Sequence, residues 1–368
     1  MDATILVVIL SIVAGIVPTI FYALLLWLAD RHEKEPLMLL VVTFVWGAVP
    51  AIILAVILEE IFGVPLYMWS LRGAELISSS VLAPLVEESV KALAVATLYL
   101  LFRREFDGVL DGIIYGALVG LGFAMTENVA YFLRSFGSGG WEQWTATVLI
   151  RTLFFGLTHA LYTGIVGASF GAARLTRSRR QRYALLLAGW LIAVALHAFH
   201  NGTMGLWRAL VPAIAADWMG LLALALLLFV ARHREIAWIR EELKEEVALG
   251  VLAFEDYAAL PSLRERFRLY RQHYRQGGRR QANAWHHLTQ LASDLAFKKR
   301  HLHLRGEDAS TRAHVARLRT EISRTQASLG RPQPTAPVCP NCGHTGRAGS
   351  QFCTRCGTSL GTFTHQGG

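Results

Sequence analysis

Long apolar runs separated by short polar breaks fill the first two-thirds of the chain. Crossing a bilayer takes about 20 mostly apolar residues. The sequence offers seven such runs, near 4–29, 37–58, 73–102, 110–133, 146–172, 183–206 and 209–231, and each predicts a transmembrane helix. The first run follows Met1-Asp2-Ala3-Thr4 with no basic residue before it. It is too long and wrongly flanked for a cleaved signal peptide, so it is expected to persist as a helix. From Arg232 to Leu329 the pattern changes to amphipathic helices, broken near Gly250, Pro261, Gly277-Gly278 and Gly306. The proline-rich stretch from Gly330 to Pro337 predicts an extended linker. The expected fold is therefore all-α: a polytopic transmembrane helix bundle over 1–231, a cytoplasmic amphipathic helical segment and linker over 232–330, and a small metal-binding module over 331–368.

Composition agrees with a membrane protein, since 53% of residues are hydrophobic and only 17% charged. Charge is divided unevenly. Residues 1–231 hold 14 Lys and Arg against 15 Asp and Glu, whereas residues 232–368 hold 22 against 12. A basic tail behind an apolar block suits the anionic cytoplasmic face of a membrane, while the lack of any DNA-reading motif or aromatic-basic patch disfavours nucleic acid. With the N-terminus outside, the inner loops carry Arg31, Lys34, Arg103, Arg104, Arg174, Arg177, Arg179, Arg180 and Arg182, and the outer loops only Arg72, Arg134 and Arg208. That asymmetry predicts an integral, multi-pass protein of the plasma (inner) membrane with its C-terminus in the cytoplasm. Gly116 and Gly120, then Gly167 and Gly171, recur at the four-residue spacing that lets helix backbones approach, and helix packing accounts for them.

Ionisable groups near a bilayer centre are costly unless partnered, which makes each a functional candidate. The third run contains Glu87, Glu88 and Lys91 amid Ala, Leu and Val. Their i, i+3 and i, i+4 spacing lets Lys91 neutralise one carboxylate and leave the other as a base or ligand. The fourth run adds Glu127, the fifth His159, and the sixth His197, His200 and Asn201. His197 and Asn201 share a helix face, a pairing suited to gripping one oxygen or one water, and His200 can substitute for His197. Together these groups supply what peptide hydrolysis needs: a base for water, donors or a metal for the oxyanion, and an acid for the leaving amine. A purely structural ion-pair network is the competing reading, and for single residues such as Glu75, Arg151 or Asp217 it weighs as much as the functional one.

The motifs EExxK (Glu87, Glu88, Lys91), FxxxE (Phe123, Glu127), His159 and HxxxN (His197, Asn201) resemble those of the PrsW-type intramembrane proteases, distant relatives of the CAAX prenyl protease and bacteriocin-processing membrane enzymes. Asp30 to Pro36 and Asp107 to Gly122 also look like that family, and the resemblance covers about residues 15–205. It implies proteolysis of membrane-anchored protein substrates, anti-sigma factors among them. It further implies Glu87 or Glu88 as the water-activating base, with Glu127, His159 and His197 as ligands or polar stabilisers and Asn201 assisting His197. The family is named for metalloproteases, so a catalytic divalent metal, zinc first, held by Glu127, His159 and His197 is one implication. A metal-free glutamate mechanism fits equally well, and spacing does not decide, because no HExxH pair occurs.

At the far end, Cys339-Pro340-Asn341-Cys342 and Cys353-Thr354-Arg355-Cys356 form two CxxC knuckles ten residues apart, a strong four-thiolate signal for structural zinc. Cytoplasmic placement disfavours disulfides. So small a module takes most of its folding energy from the metal, and its role is binding a cytoplasmic protein partner or regulation. The leading function is thus an intramembrane endopeptidase. The alternatives are a proton- or ion-coupled transporter or channel, and a membrane scaffold acting through its zinc-ribbon tail.

Overall fold

The computed structural model describes residues 3–29, 35–69, 71–103, 105–204, 210–305 and 309–331, together with Cys339, Cys342, His344, Gly346 and 352–358 of the C-terminal module. Most of the Asp30 to Pro36 stretch, Gly306 and most of the proline-rich linker lie outside the described residues. The chain divides into two compact units, Met1–Ala231 and Arg232–Gly368.

The first unit is built from α1 (Ala3–Ala29), α2 (Leu37–Trp46), α3 (Ile52–Trp69), α4 (Leu71–Ile77), α5 (Ala83–Leu101), α6 (Val109–Leu149), α7 (Thr158–Leu175), α8 (Arg179–Met204) and the start of α9 (Leu210–Ala248). Wide π-type turns at Gly47–Ala51, Ser78–Leu82 and Ile150–Phe154 join or precede α3, α5 and α7. Such turns commonly mark functional regions of helices. At about 1.5 Å per residue, α1 alone measures about 40 Å, more than a hydrocarbon core of about 30 Å. Its exposed surface is apolar, with Ile5, Ile9, Val13, Phe21 and Leu25 uncovered, as expected of a helix facing lipid.

Among the described residues, five stretches are long and apolar enough to cross a membrane: Ala3–Leu28, Leu37–Met68, Val109–Leu175, Arg179–Met204 and Val211–Ala248. Val109–Leu175 holds two of the runs expected from sequence, and α6 is kinked within it at Gly139-Gly140, where Gly140 takes φ 64°. The run expected near 73–102 is absent from these five, because its Glu87, Glu88 and Lys91 lower its apolarity. It is nevertheless helical over Leu71–Ile77 and Ala83–Leu101.

Helix α6 forms the centre of the unit, with Ile113, Ile114, Tyr115, Val119, Leu121 and Phe123 almost wholly buried. Its N-terminus is capped by Asp111, whose Oδ2 accepts from the backbone N–H groups of Asp107 at 3.0 Å and Gly108 at 2.6 Å. Close packing on α7 depends on glycine. A Cβ added at Gly120 would stand 2.1 Å from the His159 carbonyl oxygen, and one at Gly116 would stand 2.3 Å from that of Thr163. These two contacts bring His159 and Thr163 to the interior.

The second unit contains the end of α9 with α10 (Phe254–Ala259), α11 (Leu263–Arg305) and α12 (Ala309–Ser328). The sequence-predicted breaks appear at Gly250, at Pro261 between α10 and α11, and as a kink at Gly277-Gly278 inside α11. Its core gathers Ile239, Leu243, Trp285, Leu288, Leu295 and Ile322. Among the described residues there is no β-strand.

Candidate active site

Lys91 organises the site. It is fully buried on α5, and an ammonium has three hydrogens to donate. All three are used: on Glu87 Oε2 at 3.0 Å, Glu88 Oε1 at 2.9 Å and His159 Nδ1 at 3.0 Å. Its Nζ also lies 3.8 Å from the centre of the Phe123 ring. An ammonium cannot accept, so Nδ1 of His159 must be the lone-pair nitrogen and Nε2 carries the hydrogen. That Nε2–H faces Glu127 Oε2 at 3.1 Å, and Arg151 donates to the same oxygen through Nη2. Arg151 Nε donates at 2.6 Å to Asn128.

The two glutamates of α5 differ in how fully they are engaged. Glu88 accepts from Lys91 and, at 3.0 Å, from His197 Nδ1 on Oε1, and from the Thr163 hydroxyl at 3.3 Å on Oε2. Glu87 is held through Oε2 alone, and His197 Nε2 is 3.9 Å from that oxygen. Among the described residues Glu87 Oε1 makes no hydrogen bond, which leaves an acceptor open in an otherwise closed network.

Of the residues singled out from sequence, Glu87, Glu88, Lys91, Glu127, His159 and His197 form this one network. Asn201 lies outside it: its amide donates to the Ser79 carbonyl at 3.0 Å rather than to His197. His200 pairs with Asp217 through Nδ1 at 2.7 Å. Glu35, at the edge of the Asp30 to Pro36 stretch, accepts from the Tyr115 hydroxyl. Four partners were not foreseen: Thr163, Tyr162, Phe123 as a ring beneath the ammonium, and Arg151 as the cation for Glu127. Arg151 and Asp217 carried the same signal as the others, an ionisable group inside an apolar run. Tyr162 and Thr163 carried none beyond adjacency to His159.

A cavity of about 20 Å³, room for a single water, is bordered by Glu127, Arg151, His159, Tyr162, His197 and His200. It is partly open rather than sealed and is lined mainly by polar groups.

Whether a divalent metal fits can be judged from the donors. Glu87, Glu88, His159 and His197 each offer one ligand atom, all within 4.8 Å of one another. This set differs from the Glu127, His159 and His197 trio expected from sequence. By type, two carboxylates and two imidazoles suit zinc. The arrangement does not, because Lys91 Nζ already bonds three of the four residues and fills the cation's place. A metal would have to displace a buried ammonium, so the donor set as arranged does not fit one.

In the C-terminal module Cys339, Cys342, Cys353 and Cys356 also bring their sulfurs within 4.8 Å of one another. The Cys339–Cys356 and Cys342–Cys353 sulfurs are 3.4 Å apart, and all four thiols are free of disulfides. Four thiolates so gathered fit tetrahedral zinc.

Residues 35–231 match the family described as PrsW family intramembrane metalloprotease, and residues 338–360 match the zinc-ribbon domain. Protease PrsW of Geobacillus kaustophilus is 33% identical over 218 residues, covering 58% of this chain and 85% of that protein. Protease PrsW of Bacillus subtilis is 28% identical over 191 residues, covering 51% and 79%. That of Clostridioides difficile is 28% identical over 168 residues, covering 46% and 68%. No solved structure matches.

Proposed function

The chain belongs to the PrsW family of intramembrane proteases, and on that premise we propose that it hydrolyses a peptide bond in membrane-anchored protein substrates, anti-sigma-factor-like regulators among them, with water activated by Glu87. The observation that carries this reading is the open Oε1 of Glu87 beside a Lys91 ammonium whose three donors are all committed. Glu88, engaged on both oxygens, orients Lys91 and His197 instead of acting as the base.

In the proposed reaction Glu87 takes a proton from water as the water oxygen bonds to the scissile carbonyl carbon. Lys91 offsets the charge of the carboxylate pair throughout. Asn201 spends one amide hydrogen on Ser79 and keeps the other for the developing oxyanion, with His197 on the same helix face. Glu127 holds His159 in one tautomer, and Arg151 balances Glu127. No step is assigned to a catalytic metal. Zinc, held by the four cysteines, would serve the ribbon alone.

The domain assignment follows the same reading: a protease domain over 1–231, a cytoplasmic helical segment over 232–330 and a zinc ribbon over 331–368 that binds a cytoplasmic protein partner. The N-terminus is assigned outside and the C-terminus to the cytoplasm on the distribution of loop arginines and lysines.

The test is N-terminal proteomics of membranes from cells expressing wild-type protein, Glu87→Gln or Glu88→Gln. New membrane-protein N-termini are expected with wild type and absent with Glu87→Gln, at equal accumulation of the protease. Cleavage by Glu87→Gln at the wild-type rate would remove Glu87 as the base.

A further inference from the structure

Asp217 lies on α9 in a stretch that is otherwise apolar, and it is 3% exposed. Both of its oxygens are engaged. The Tyr162 hydroxyl donates to Oδ1 at 2.9 Å, and His200 Nδ1 donates to Oδ2 at 2.7 Å. Among the described residues no lysine or arginine forms an ion pair with it, and His200 is its ionic partner. A buried carboxylate with only an imidazole opposite is stable as a pair sharing one proton, either Asp⁻ with an imidazolium or the neutral acid with a neutral ring.

Such a pair could do no more than tie α7, α8 and α9 together. Two further features point to the site. Tyr162 stacks on His197, with ring centres 4.9 Å apart and planes at 20°, so Asp217 steadies a ring that already bonds Glu88 through its Nδ1. His200 borders the water-sized cavity together with Glu127, Arg151, His159, Tyr162 and His197. With Nδ1 committed to Asp217, the remaining nitrogen of His200 is Nε2, which makes no hydrogen bond among the described residues. It is also absent from the sealed, unpartnered polar atoms of the interior. A structural tie would need neither a free nitrogen nor a cavity beside it.

We propose that His200 is the catalytic proton donor of the hydrolysis and that Asp217 is its positioning residue. This rests on the reading of Glu87 as the base. Water gives a proton to Glu87 while its oxygen bonds to the carbonyl carbon. The His200 imidazolium, with Asp217 as counter-charge, then passes its Nε2 proton to the amide nitrogen. The C–N bond breaks and the amine departs. The proton on Glu87 returns through water to His200 Nε2, so the net change is one water added across one amide. Asp217 fixes which ring nitrogen does this, as a buried aspartate fixes the histidine tautomer in serine proteases.

Two measurements test the proposal. The first needs no substrate. In full-length protein labelled with ¹⁵N-histidine in detergent, the His200 signals, assigned by their loss in His200→Gln, are expected to show a protonated, hydrogen-bonded Nδ1 that is lost or exchanged for Nε2 in Asp217→Asn. A His200 protonated only at Nε2 in the wild type would overturn the positioning role. The second uses a synthetic peptide of the membrane segment found by the N-terminal proteomics, made once with the scissile amide and once with an ester there. An ester's leaving group needs far less help from an acid. His200→Gln should lower kcat on the amide roughly 10²-fold or more with KM unchanged, but affect the ester only several-fold. Asp217→Asn should follow it, and Asp217→Glu should recover part of the loss. Equal losses on amide and ester, or none, would refute the acid role. Glu87→Gln should lose both substrates. If it is inactive while His200→Gln is fully active, this proposal alone fails; if Glu87→Gln stays active, the underlying reading fails.

Discussion

Each unit of this protein buries glutamate against lysine, and the two clusters differ in one respect. In the second unit Glu246 is fully buried and saturated: Lys299 Nζ at 2.7 Å and Arg319 Nη2 at 2.6 Å bind Oε1, and Arg319 Nε at 2.9 Å binds Oε2. Lys299 is in turn shared with Glu245 at 2.7 Å. In the first unit Lys91 is saturated in the same way, yet Glu87 retains an oxygen that no described residue binds. Buried ion pairs are weak evidence for stability or for function by themselves. What separates the two clusters is that one carboxylate oxygen, an acceptor left open on Glu87 and filled on Glu246.

The sharpest way to break that contrast is to remove Lys91. Lys91→Met leaves Glu87, Glu88 and the lone pair of His159 facing one another, and stranding a buried charge costs about 3–5 kcal/mol. Both cleavage and the thermal midpoint of the protein in detergent should collapse. A folded and active Lys91→Met would show that the ammonium is dispensable.

Next come two substitutions expected to have opposite effects. Glu87→Gln should lower cleavage roughly 10²–10⁴-fold, the usual worth of a general base, with a smaller loss of melting than Lys91→Met because Glu88 still pairs with the ammonium. Glu246→Gln should leave the chemistry intact. It should loosen the second unit by about 3 kcal/mol, the low end for breaking a buried pair, seen as faster hydrogen exchange in α11 and α12. If the two variants affected activity and exchange alike, the distinction between open and closed clusters would be lost.

A smaller effect concerns His273, buried in the second unit against Trp285, with ring centres 5.9 Å apart and neither ring nitrogen hydrogen-bonded. Burial pushes its pKa down, against the pull of Asp256 upward. A group whose folded value is depressed contributes stability that is present above its unfolded value, about 6.5 for histidine. That stability is lost as pH falls toward the folded value. The protection of α11 amides relative to their intrinsic exchange rates should therefore fall below about pH 6.5, and His273→Phe should flatten that response. An unchanged pH dependence in the variant would assign the effect to other groups.

The two clusters were not equally legible in the sequence. Glu87, Glu88, Lys91, Glu127, His159 and His197 stand out because each interrupts an apolar run, where a charge has no ordinary surface role. Glu246, Lys299 and Arg319 lie in polar, amphipathic segments where charges are common, and nothing in their spacing joins positions 53 and 73 residues apart. The same limit hid the pairing of His200 with Asp217. The sequence marks both as ionisable, but their contact depends on how α8 meets α9. Which glutamate stays open was also invisible, since Glu87 and Glu88 are neighbours and differ only through Thr163 and His197, which approach from other helices. The glycines of α6 and α7 read correctly as packing residues, and the structure adds that Gly120 and Gly116 set the depth of His159 and Thr163.

Under the proposed mechanism this is a glutamate site whose cation is the Lys91 ammonium rather than a metal. Full-length protein and protein truncated after Gly330 can be stripped with a strong chelator, assayed for bound metal, and tested for cleavage in detergent. The untreated full-length protein should then carry one zinc per chain, the truncated form none, and cleavage by the truncated form should be undiminished after chelation. Loss of cleavage on chelation, restored by adding zinc to the truncated protein, would contradict that mechanism.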